Sequence, residues 1–346
     1  MKKLVFALIF SISLAVPVSA LEISAPEVPE SGQHVMPENT DSFSSAVQQL
    51  LRNTIRELNP DLKEVSQVSV TVICSALLVS VLHVFSGQAK TALEITASVL
   101  ISSVLLQSTG ALIHLGADTV CSMSEYGKLL LPVMTAALAA QGAPATSAAL
   151  YAGTAAFDTI LSSLISSLLI PMVFVFLVLA AGYSAFRTEI LKKMRDFIKW
   201  AIGWTLKILL TVFTTYISIT GVVSGTTDAV TLKATKITIS SFVPVVGGIL
   251  SDASEAVLIS AGLMKNAAGI YGILAILAVF LTPFLKIGIH YAVLKVTAAI
   301  TSVFAPKPIS DLIDDFSTAM GFLLAMTSAT CLLLLISTVC FLKGAA

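Results

Sequence analysis

The chain has 346 residues, 56% of them hydrophobic and only 12% charged, with a mean hydropathy of +0.94. A soluble domain carries about 25% charged residues, so this composition excludes an ordinary soluble globule and predicts an all-α, polytopic membrane protein. The formal net charge is zero, which leaves no electrostatic footprint for nucleic acid.

Residues 1–20 read as a signal peptide. Lys2 and Lys3 give the positive start, Leu4 to Val16 a short apolar stretch, and Val18-Ser19-Ala20 a small-x-small cleavage site. A retained first anchor is the other reading, and in both the residues after Ala20 are exported. The exported part, 21–64, opens with a linker holding Pro26, Pro29 and Pro37. Asp41-Ser42 then cap a helix in which Phe43, Val47, Leu50, Leu51, Thr54, Ile55 and Leu58 recur at three-to-four spacing, until Asn59-Pro60 stops it. Such an amphipathic helix covers the protein's own outer face, the lipid interface or a partner. For a partner, Leu51 and Ile55 are the docking residues.

Six clear spans follow, at about 65–85, 93–116, 160–184, 201–223, 268–290 and 318–342. Each holds about 20 or more mostly apolar residues, enough for a hydrocarbon core of about 30 Å. Two further apolar stretches, 129–158 and 238–264, break mid-length at Gln141-Gly142-Ala143-Pro144 and at Ser251-Asp252-Ala253-Ser254-Glu255. Their length fits a re-entrant hairpin of two half-helices better than one or two crossings. Charge supports this choice: Arg187, Lys192, Lys193, Arg195 and Lys199 form the most basic loop, which belongs in the cytoplasm. That placement requires 129–158 to enter and leave on the outer side, and it makes the segment around Asp118 an outer loop.

The same segment recurs about 110 residues on. Thr109-Gly110, Asp118, Leu131-Pro132-Val133 and Pro171 reappear as Thr220-Gly221, Asp228, Val243-Pro244-Val245 and Pro283. The repeats are parallel: membrane repeat 1 is 65–158 and repeat 2 is 160–264, and 268–346 supplies a third span pair and the C-terminus. Multi-span channels and transporters are built this way.

No enzyme motif is present; there is no HExxH, GxSxG, P-loop or dinucleotide glycine pattern. His34, His83, His114 and His290 do not cluster at metal spacing, and no cofactor is expected. Cys74, Cys121, Cys331 and Cys340 share no CxxC spacing; Cys74 and Cys331 read as buried thiols inside spans. Ionisable groups at membrane depth are costly and therefore functional candidates. Asp252 and Glu255, at the second hairpin's tip, form the best pair for a polar constriction. Pro132, Pro244, Gly142, Gly247 and Gly248 shape the same path. Asp158 is a further candidate, whereas Glu94 and Lys207 can reach the interface by snorkelling. The small side chains of the first hairpin, such as Ala136, Ala140 and Ala145, suit close packing or a pore lining. The segment 187–199 is a basic amphipathic helix with Phe186, Ile190, Met194, Phe197 and Ile198 on one side. It suits anionic lipid or a cytoplasmic partner, with Arg187, Lys192, Lys193 and Arg195 as docking cations. The corresponding loop 306–316 carries Asp311, Asp314 and Asp315, so the two faces can pair electrostatically.

The run from Phe242 through Val243-Pro244-Val245-Val246-Gly247-Gly248 to Asp252 and Glu255 resembles the signature of the stage III sporulation protein AE family, and the span layout agrees with it. The resemblance implies a multi-pass protein of the mother-cell membrane around the forespore of an endospore-forming bacterium. It implies a membrane core, of permease type, in an intercellular channel complex related in parts to secretion machines. The implied partners are other stage III sporulation A-operon proteins, including a cytoplasmic ATPase, and indirectly a forespore-membrane partner. A non-conducting scaffold for that ring and ATPase is the alternative. The family carries no catalytic residues.

Overall fold

Lipid offers backbone N–H and C=O groups no partner, so an apolar chain crosses it as helix. The computed structural model describes residues 26–37, 43–140, 144–219 and 267–344, and among these there is no strand. The helices are α1 (Glu30–Gln33), α2 (Phe43–Glu57), α3 (Asn59–Phe85), α4 (Lys90–Ala140), α5 (Pro144–Leu164), α6 (Ile170–Phe186), α7 (Glu189–Ile219), α8 (Ala267–Thr301) and α9 (Lys307–Gly344). Six helical runs among the described residues are long and apolar enough to cross a membrane: Leu62–Phe85, Lys90–Leu138, Ser147–Phe186, Glu189–Tyr216, Gly269–Thr301 and Lys307–Leu342.

The expected outer loop around Asp118 is absent. Span 93–116, that loop and the first arm of the expected hairpin are one unbroken helix, α4, of 51 residues. At 1.5 Å per residue it is about 76 Å long, more than twice a hydrocarbon core. The polar residues that read as a loop are one helical face. Asp118, Cys121, Glu125 and Lys128 are exposed, while Val120, Met123, Tyr126 and Leu130 are buried between them. Pro132 lies inside α4 on its exposed side.

The returning helical arm of this pair is also continuous. Residues 158–160, expected as the limit between repeat units, lie within α5. A π-helical turn, Ile165–Leu169, joins α5 to α6 just before Pro171. The wider turn seats a proline that lacks an N–H and would crowd the carbonyl one turn back. α4 and α5 pack on each other; the connection at 141–143 lies outside the described residues, as does the whole stretch 220–266. α6 ends at Arg187, whose φ is 53°. This left-handed cap is usually glycine; here the Arg187 N–H donates to the Tyr183 carbonyl at 2.9 Å.

α9 is the centre of the bundle. It packs against α4, α5, α6, α7 and α8, and every residue from Asp315 to Leu335 is buried. A helix apolar on all sides belongs in a core, and 316–342 contains no charge. Several of its hydroxyls bond back to the helix itself: Thr327 donates to the Leu323 carbonyl at 3.0 Å and Ser337 to that of Leu333 at 2.7 Å. α4 approaches it closely at Gly127, where a Cβ would stand 2.6 Å from Leu334 Cδ2.

Helix α2 packs on α8 and buries Phe43, Ala46, Leu50 and Thr54. Thr282 Oγ1 of α8 donates to Glu57 Oε2 at 3.3 Å. α1 also rests on α8, with Gly32 so close that a Cβ would meet the Val279 backbone nitrogen at 2.9 Å. Asn59-Pro60 marks the break between α2 and α3, as its sequence predicts, but Pro60 sits in the first turn of the next helix. Cys331 is buried; Cys74 is exposed on α3 and is not the buried thiol expected, because it falls on the outer face of a peripheral helix.

Candidate functional site

One end of the bundle gathers its charge. There the turns at 86–89, 187–188 and 302–306 bring α3, α4, α6, α7, α8 and α9 together. Glu94 on α4 holds His83 Nε2 at 2.8 Å and also accepts from Arg187 Nη2. This pair tethers the strained Arg187 cap. Arg195 on α7 donates through Nη1 to Asp315 Oδ2 at 2.8 Å, and through Nη2 to Asp196 Oδ1 at 2.8 Å. Its guanidinium carbon lies 4.9 Å from the centroid of the Tyr183 ring. Lys295 on α8 pairs with Asp314 on α9. Ser184 completes the set: its hydroxyl donates to the Pro308 carbonyl at 2.9 Å and accepts from Ser98 Oγ at 2.9 Å.

The basic segment 187–199 and the acidic segment 306–316 therefore meet through Arg195 and Asp315. Of the four docking cations, Arg195 is turned inward, its side chain 12% exposed, and Arg187 is engaged by Glu94. Lys192 and Lys193 have no ion pair among the described residues; Lys192 is half-buried and Lys193 exposed. Exposed ion pairs contribute about 0–1 kcal/mol, but the nearly buried Arg195–Asp315 pair is of the kind whose single-sided loss costs about 3–5 kcal/mol.

Deeper in the bundle, Asp158 of α5 is buried against α4. Ser124 Oγ donates to its Oδ2 at 2.8 Å, while Oδ1 has no hydrogen-bond partner. Sequence reading singled out this aspartate but not Ser124, 34 residues away. Among the described residues no three His, Cys, Asp or Glu side chains group as a metal site.

Of the residues expected to form a path, only Pro132 falls among the described residues. Pro132 is on the exposed side of α4. Gly142, Pro244, Gly247, Gly248, Asp252 and Glu255 lie outside the described residues. On α2, Leu51 and Ile55 are exposed, at 39% and 59%, beside their buried neighbours Leu50 and Thr54. A shallow groove of about 300 Å³ on the same helix is lined by Gln48, Gln49, Arg52, Asn53 and Arg56, with Ser45.

Sequence reading missed the aromatic ladder on α7. The Phe197 and Trp200 rings are 6.0 Å apart, and Trp200 and Trp204 stack at 5.5 Å with an interplanar angle of 22°. The three-and-four spacing of these aromatics was a signal in plain view.

The sequence model of the family described as stage III sporulation protein AE matches residues 32–344. A relative from Bacillus subtilis (strain 168), named stage III sporulation protein AE, is 26% identical over 253 residues, covering 73% of this chain. The chain spans 63% of that relative's length. No solved structure matches.

Proposed function

Because the chain belongs to the stage III sporulation protein AE family, we propose that it is a membrane core component of the channel complex that joins mother cell and forespore during endospore formation. The observation that carries this reading is a family match running through all six apolar helices. One of them, α9, is central and packs on five neighbouring helices, a body suited to holding a multi-protein assembly in a bilayer. The basic end faces the mother-cell cytoplasm in this reading, by the bias of Lys and Arg toward that side. There it meets a cytoplasmic ATPase, while α1 and α2 face the other A-operon proteins on the outer side.

The conducting version places the path along the hairpin arms, with Asp252 and Glu255 at its polar constriction. Unwound backbone at membrane depth is tolerated only inside protein or beside water, and a desolvated carboxylate is costly without a cation or water. The scaffold version has one observation in its favour: α9 fills the axis of the described bundle with packed side chains. Asp252→Asn combined with Glu255→Gln separates the two. It removes charge and keeps shape. A conduit loses forespore reporter activity at normal protein level and normal complex recovery. Wild-type forespore activity in the stably expressed double variant counts against the constriction and leaves the scaffold.

A further inference from the structure

We propose that the outward face of α7 is a binding site for an anionic phospholipid. This inference is independent of whether the chain conducts. Lys193, Phe197, Trp200, Trp204 and Lys207 all lie on one side of the helix and are all exposed, whereas Ile202, Leu206 and Phe213 on the opposite side are buried. The ammonium groups of Lys193 and Lys207 make no hydrogen bond or ion pair with a described residue, in contrast to Arg187, Arg195 and Lys295. Cations at the basic end thus divide into those that hold the bundle together and those left facing outward.

Lys193 and Lys207 are 14 residues apart, or about 21 Å along the helix, with the Trp200–Trp204 stack between them. Helical side chains lean toward the N-terminus, so the Lys207 stem runs down past Trp204 toward the basic end. An unpaired ammonium against hydrocarbon needs an anion within reach of its four-carbon stem. A lipid phosphate at the interface supplies one. Tryptophan is the side chain favoured at that depth, and the face continues into Ile208 and Val212, which are apolar and exposed. This order, cation then aromatic ladder then aliphatic side chains, matches a headgroup followed by an acyl chain. A lipid of net negative charge gains from both lysines, and a zwitterionic one does not.

The chain has only two tryptophans, and both are in this ladder, so selectively excited tryptophan fluorescence reads this face alone. The full chain is reconstituted into phosphatidylcholine vesicles containing phosphatidylglycerol, with bromine on the acyl chains of one lipid or the other. Brominated phosphatidylglycerol is expected to quench about fivefold more per lipid than brominated phosphatidylcholine. The preference should fade at about 1 M salt, where the screening length is about 3 Å. Lys193→Gln with Lys207→Gln should bring the two lipids level while leaving phosphatidylcholine quenching intact, which shows that the variant is folded and inserted. Equal quenching in the wild-type chain, or a preference that survives both substitutions, overturns the proposal. Quenching by neither lipid also overturns it, because the face is then covered by a second copy or a protein partner.

Discussion

Arg195 and Asp315 meet at 2.8 Å across 120 residues of chain. Their contact is the electrostatic clasp between the basic start of α7 and the acidic start of the central helix α9. Their side chains are 12% and 9% exposed, and Tyr183 lies against the guanidinium. One of the four cations that the sequence offered to a partner is thus used by the fold itself.

Asp315→Ala should therefore lower stability by about 3 kcal/mol, since it leaves a nearly buried guanidinium with only the exposed Asp196. Thermal unfolding of the detergent-solubilised protein, followed by tryptophan fluorescence, measures this. Replacing both partners, Arg195→Met with Asp315→Leu, should recover most of the loss, because a buried pair can be exchanged for apolar groups at little cost. An unchanged midpoint in the single variant means that the clasp contributes nothing.

Close approach of α4 to α9 gives a second prediction. Gly127→Val places new carbon atoms against Leu334 and beside Asp158 Oδ2, which would be 3.6 Å from the new Cβ. Overpacking of this kind costs about 1–3 kcal/mol. Leu334→Ala in the same chain should restore part of the loss, and a double-mutant cycle on unfolding midpoints reads the coupling. If the two effects simply add, the helices do not press together at this point.

The native cysteines test where α4 leaves the lipid. Val99 and Leu100 are exposed and apolar, whereas His114, Asp118, Cys121, Glu125 and Lys128 form an exposed polar face further along the same helix. A membrane-impermeant maleimide added outside intact protoplasts of non-sporulating cells that express the chain should label Cys121. Cys74 should stay unlabelled on its lipid-facing side, and Cys331 and Cys340, both buried, should react only after denaturation. Cys121 labelling that requires opened cells would invert the assigned orientation.

How much of this was legible in the sequence differs from element to element. The all-helical class and the approximate positions of six long apolar runs were legible, because hydropathy over about 20 residues is a strong signal in lipid. The pairing of 187–199 with 306–316 was legible as charge complementarity, and Arg195–Asp315 realises it. The continuity of α4 through Asp118 was not, because a polar face on a helix that outruns the bilayer gives the same local composition as a loop. Nor was the central place of α9, since Leu332 to Leu335 read the same whether they face lipid or neighbouring helices. The Ser124–Asp158 contact was invisible for a simpler reason. It joins two helices through side chains 34 residues apart, and no short motif encodes that distance.

Helix α2 offers the sharpest test of a partner surface, because the structure divides its apolar stripe in two. Phe43, Leu50 and Thr54 are spent on packing against the body of the protein, and Leu50 is fully buried. Leu51 and Ile55 remain exposed beside the polar groove of Gln48, Arg52 and Arg56. A carboxylate at Leu50 is buried without a partner and should cost several kcal/mol, so Leu50→Glu is expected to lose protein and function together. Leu51→Glu and Ile55→Glu place the charge in the open and should change stability by less than about 0.5 kcal/mol. If this face docks an external partner, those two variants will insert and unfold like the wild-type chain yet fail to recover the complex on pull-down, with fewer spores formed. Normal sporulation and normal complex recovery in both would show that α2 braces α8 and does nothing more.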